Sequence, residues 1–103
     1  MKSQIRSQVV LAVAVLLAGS VGFAQSTGEA IYKANCQSCH GSSGTPSPGI
    51  AKMMDVKPAS AYTDSARDQE AAVKNGKNKM KPFASKLTDA QITDAVAYFR
   101  TLK

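Results

Sequence analysis

Cys36 and Cys39 stand three positions apart and His40 follows at once, in the stretch Asn35-Cys36-Gln37-Ser38-Cys39-His40-Gly41; the chain contains no other cysteine or histidine. Four chemistries can be written with these letters. A disulfide between such near neighbours closes a tiny loop and adds little stability. A thioredoxin-like dithiol expects a β-α-β setting, and nothing before Cys36 reads as a strand. A structural zinc site needs four ligands, which leaves its fourth place to a carboxylate. Covalent haem attachment uses every letter. Two thiols at this spacing add across the two vinyl groups on one porphyrin edge, and the adjacent histidine is then held under the iron. The motif therefore predicts one covalently attached haem c, with thioethers at Cys36 and Cys39 and His40 as the proximal ligand.

The far side of the iron is read by counting. With His40 the sole histidine, a second imidazole within the site is excluded, leaving methionine, lysine, asparagine, water or nothing. Beyond the N-terminal segment the methionines are Met53, Met54 and Met80. Methionine commonly plugs gaps in cores, and that is the expectation for Met53 and Met54. Met80 lies among lysines and turn residues, in Lys79-Met80-Lys81-Pro82-Phe83, a poor setting for core filler. Met/His is a known haem pairing, so Met80 is the candidate distal ligand.

These groups must be positioned by a small scaffold. Lys2 and Arg6 precede the apolar run Val9 to Ala18, and the small residues Gly22 and Ala24 flank a plausible cut. That is the layout of a secretory signal peptide, so residues 1–24 are expected to be removed and 25–103 to form one exported domain. A spanning anchor needs about 20 apolar residues, and here Gly19, Ser20 and Gly22 interrupt the run. A domain this short buries only about 60–65% of its unfolded surface. The mature part has five aromatics, Tyr32, Tyr62, Phe83, Tyr98 and Phe99, and no tryptophan. A cofactor is the expected filling.

Local signals mark helices and loops. Ser26 and Glu29 read as a capping box, opening a helix that runs to about Asn35. Gly41 to Gly49, rich in Gly, Ser and Pro, reads as a loop, and Ile50 to Met54 as a brief helical turn. Ser65 to Asn75 reads as a helix capped by Asp64 or Ser65, with a left-handed stop at Gly76. Lys77 to Ser85 forms a second loop. Thr88 and Gln91 form another capping box, Leu87 and Ile92 a hydrophobic staple, and Ile92, Ala95, Val96 and Phe99 fall on one helical face, which Leu102 continues less strictly. No strand run and no internal repeat is visible.

From Gly28 to Lys103 the chain resembles the small bacterial class I cytochromes c, on "GEAIYKANCQSCHG", "NGKNKMKPF" and "KLTDAQITDAVAYFRTL". The resemblance implies an all-α fold of three main helices wrapped round one covalently attached haem, with long connecting loops. It implies Met80 as distal ligand, although Lys81 separates it from the proline that often follows directly. It also implies a backbone carbonyl near Pro46 or Pro48 that orients His40, and Tyr32, Tyr98 and Phe99 packing the first helix on the last.

The implied activity is electron transfer in the periplasm by a monomeric carrier, not an enzyme. The alternatives are a haem enzyme or gas-binding sensor with an open sixth position, and a fixed cytochrome subunit of a larger dehydrogenase or oxidase. The whole chain has a formal charge of +6. Removing Lys2 and Arg6 lowers the excess of base over acid to four and leaves every acid in place. Lys74, Lys77, Lys79, Lys81 and Lys86 cluster around Met80, which favours redox partners with acidic docking surfaces. Nucleic acid is not expected as a partner, since no binding motif or aromatic platform accompanies the basic residues.

Overall fold

The computed structural model describes residues 27–102. The predicted signal peptide, its cut after Ala24 and the Ser26 cap lie outside the described residues. Among the described residues five helices follow one another: α1 (27–35), α2 (Gln37–His40), α3 (Pro48–Met54), α4 (Ala66–Asn75) and α5 (Asp89–Phe99), with a 3-10 turn at Ala59–Ala61. Among the described residues the only extended pairing is an isolated antiparallel bridge between Lys77 and Met80. The expected all-α class is observed, with α1, α4 and α5 as the main helices.

Local chemistry sets the helix ends. The Thr88 hydroxyl accepts from the Gln91 backbone N–H at 3.2 Å, and the Gln91 side chain accepts from the Thr88 N–H at 2.9 Å, completing the predicted capping box. At α4 the cap is Ser65, whose Oγ accepts from the Asp68 N–H at 3.1 Å. Gly76 ends α4 with φ 80° and ψ 158°, so the positive φ is as expected but the chain leaves extended rather than in a left-handed turn. A Cβ at Gly76 would stand 3.0 Å from both the Met80 carbonyl oxygen and the Pro82 nitrogen, so the conformation and the close approach both require glycine.

Helix α3 starts earlier than the sequence indicates. Pro48 and Gly49, read as loop, form its first turn behind the Ser47 N-cap. Proline suits that place because its fixed φ is helical and its missing N–H is not needed there.

Phe83, Leu87, Ile92 and Val96 form the buried cluster, flanked by Ile31, Val73 and Met80; both residues of the predicted staple are in it. The Phe83 N–H donates to the Val73 carbonyl at 2.9 Å and the Ala84 N–H to that of Lys74 at 3.2 Å. The second loop thus satisfies late carbonyls of α4 that have no helical donor. On the other side α1 lies against α5. A Cβ at Gly28 would collide with the Asp94 carbonyl and come within 3.3 Å of the Tyr98 Cβ. Next to this contact the Tyr32 ring meets those of Tyr98 and Phe99, with centroids 5.3 and 6.1 Å apart. That is the packing expected of the first and last helices.

Candidate functional site

Between these two packed regions lies a cavity of about 660 Å³, well within the size range of small-molecule and cofactor sites. Cys36, Cys39, His40 and Met80 all line it. Four residues chosen from sequence, from segments forty positions apart, therefore share one enclosure.

Helix α2 presents the motif. It is a single turn, separated from α1 by Cys36, and the His40 N–H donates to the Cys36 carbonyl at 3.0 Å. Cys36 and Cys39 are not joined in a disulfide. Burial, reinforced by the nearby Cys39, pushes the Cys36 thiol up to about 11, the opposite of the low values that activate a redox dithiol. Among the described residues no three Cys, His, Asp or Glu side chains converge to hold a metal ion by themselves, which leaves a protein-only zinc site without its ligand set.

His40 is held by aromatic edges. Its ring centroid lies 5.2 Å from that of Phe99 and 6.2 Å from that of Tyr62, both edge-on. Burial holds its pKa below the usual imidazole range. Its Nδ1 is buried with no hydrogen-bond partner. No carbonyl near Pro46 or Pro48 accepts from it; the ring's aromatic neighbours are Phe99 and Tyr62. Behind it the Tyr32 hydroxyl donates to the Gly41 carbonyl at 2.6 Å, and burial, the dominant cause, pushes that phenol up to about 12.

Met80 enters from the second loop. The turn over residues 77–80 is closed by two backbone bonds, Lys77 N–H to the Met80 carbonyl at 3.0 Å and Met80 N–H to the Lys77 carbonyl at 2.9 Å. Asn78 takes φ 54° within it, a left-handed position that asparagine tolerates better than most residues. Of the five lysines noted around Met80, Lys77, Lys79 and Lys81 reach the cavity wall, joined there by Lys57. Lys74 instead pairs with Asp89 at 3.1 Å.

The two remaining methionines do not fill the core. Met53 is 63% exposed, because it lies on the outer side of α3. Met54 is half-buried and lines the cavity. Tyr62, Lys57 and Met54 were not singled out as site residues from the sequence. Tyr62 carried the one usable signal, as an aromatic in a segment with no periodic pattern; its hydroxyl accepts the Lys57 N–H at 3.0 Å.

The residues fit a covalently held porphyrin. The enclosure is of suitable volume, and two thiols lie on its wall. The His40 imidazole lines the same cavity, and aromatic and aliphatic side chains from α4, α5 and Tyr62 complete the lining.

Comparison with known proteins agrees with this chemistry. The family model described as "Cytochrome C oxidase, cbb3-type, subunit III" matches residues 23–99. Cytochrome c6 of Pyropia yezoensis is 35% identical over 88 residues, covering 76% of this chain and 77% of the relative. Cytochrome c6 of Anabaena variabilis is 39% identical over 75 residues, covering 69% and 83%. Among solved structures, the KustC0563 c-type cytochrome superposes with a TM-score of 0.67 at 23% identity, over 74% of this chain and 96% of its own, and so shares the fold. With its attachment motif opening into a cavity fit for a porphyrin and this kinship over most of its length, the chain belongs to the class I mono-haem cytochrome c family and carries a covalently bound c-type haem.

Proposed function

We propose that this protein is a periplasmic one-electron carrier with His40 and Met80 as the axial ligands of its haem, held by thioethers at Cys36 and Cys39. The observation that carries this reading is the placement of Met80 on the wall of the cavity into which Cys36, Cys39 and His40 open. The haem supplies the one-electron couple of its iron, and a thioether ligand raises the reduction potential.

The protein's own residues do the rest. Phe99 and Tyr62 pack edge-on against the His40 ring, and burial disfavours its protonated form. The tight turn over 77–80 presents the Met80 sulfur, and the Phe83 and Ala84 amides anchor that loop to α4. Val73, Phe83, Val96 and Phe99 give the cavity an apolar stretch of wall. Occupying both axial places leaves no ready coordination site for a substrate or gas, which favours electron carriage over catalysis. Lys57, Lys77, Lys79 and Lys81 at the cavity wall would steer acidic redox partners toward it.

Absorption spectra of the matured protein, oxidised and reduced, test the reading. The oxidised form should show the weak methionine-to-iron band, Met80→Ala should abolish it and lower the potential, and Met54→Ala should retain it. A Met80→Ala variant with the spectrum and potential of the parent would instead establish an open or differently ligated sixth position.

A further inference from the structure

The second loop is tied to the scaffold at unequal places. Its later half is pinned to α4 through the Phe83 and Ala84 amides. Its earlier half, which carries Met80, is held mainly by its own turn. One bond reaches from it to the end of α3: Lys79 Nζ donates to the Met53 carbonyl at 3.0 Å, spanning twenty-six positions of sequence.

Met53 is the next-to-last residue of α3, so its carbonyl is among those that lack a helical donor and lie at the negative end of the helix. A lysine ammonium is well suited to that position. The Ala51 carbonyl close by takes the Asp55 and Val56 amides, which leaves the Met53 carbonyl for Lys79. Met54, the following residue, lines the cavity, as do Lys79 and Met80. The bond therefore joins two segments that line the cavity.

We infer that Lys79 is a positioning residue, clasping the Met80 loop to the C-terminal end of α3 and so keeping Met80 turned into the cavity. This rests on the reading of Met80 as the distal ligand. Lys79 does not touch the iron; it acts by opposing the swing of the loop that would withdraw the thioether. Its amine is exposed, so the clasp is a modest bias on an opening equilibrium, about fivefold for one such bond.

The test uses the matured, oxidised protein and imidazole, a ligand that can bind only after Met80 has moved away. Lys79→Ala should accelerate imidazole binding about fivefold while leaving the methionine-to-iron band in place before imidazole is added. Lys86→Ala removes an equal charge just after that loop, beyond its anchored part, and should bind imidazole at the parental rate. Parental kinetics in Lys79→Ala would overturn the clasp, as would an equal acceleration in both variants. Absence of the methionine-to-iron band from the parent protein itself is a separate result, and it removes the His40/Met80 reading on which the clasp depends.

Discussion

The Tyr32 hydroxyl donates to the Gly41 carbonyl oxygen over 2.6 Å, fastening the first helix to the residue that follows His40. Tyr32 is also the largest fully buried side chain among the described residues, and its ring touches those of Tyr98 and Phe99. One residue thus links α1, α5 and the attachment motif. Tyr32→Phe keeps the ring and leaves the Gly41 carbonyl without its donor. The expected loss is about 1–2 kcal/mol of stability, measured by denaturant unfolding of the matured protein, with little change in its visible spectrum.

The same phenol predicts an alkaline limit. In the folded protein burial pushes it up to about 12, above the ordinary phenol value of about 10. Above the lower value the unfolded chain releases a proton that the folded chain keeps, so folding loses ground as pH rises toward the higher one. The stabilisation is complete below the ordinary phenol range and is lost through about pH 12, at up to roughly 1.4 kcal/mol per pH unit. Unfolding free energies of the parent and of Tyr32→Phe should therefore converge across this window. A constant gap between them would contradict the assignment.

Gly28 sets how closely α1 and α5 approach. A methyl group there meets the Asp94 carbonyl and the Tyr98 Cβ; the obstacle is backbone, so the helices must part. Gly28→Ala should cost about 1–3 kcal/mol, seen as a lowered melting temperature. Gly49→Ala is the matching control, since no atom lies within 4 Å of a Cβ there.

The basic rim should govern encounter rates. Lys57 and Lys77 line the cavity, whereas Lys74 is engaged with Asp89. Reduction of the matured protein by ferrocyanide, an anion, should slow about tenfold at low salt in the double variant Lys57→Glu/Lys77→Glu. The difference should shrink as the screening length falls to about 3 Å near 1 M salt. Lys74→Ala should react close to the parental rate. Rates that stay equal at low ionic strength would reject electrostatic steering.

What was legible in the sequence was local or motif-borne. The Thr88–Gln91 box, the Leu87–Ile92 staple and the stripe of α5 are decided within a few residues, and each forms as written. Cys36, Cys39 and His40 are legible because their spacing is itself the chemistry. The features that escaped depend on how distant segments close on each other. Lys57 and Tyr62 reach the cavity because the segment between α3 and α4 runs along it, a path with no periodic pattern to read, and Met54 reaches it from the last position of α3. Gly28 looks like an ordinary helical glycine until Asp94 is set beside it. The carbonyl sought for His40 near Pro46 and Pro48 was an expectation from kinship; Nδ1 has no such partner, and the ring's neighbours are Phe99 and Tyr62.

The hollow at the centre of this fold has a consequence for the living cell. Four residues form the buried cluster on one side of it, too few to hold a domain of this size together around an empty middle. The polypeptide and its pigment must become a finished object in one event, and a chain that misses that event stays open to proteases. The amount of this protein should follow the supply of iron porphyrin more closely than the rate at which its message is translated.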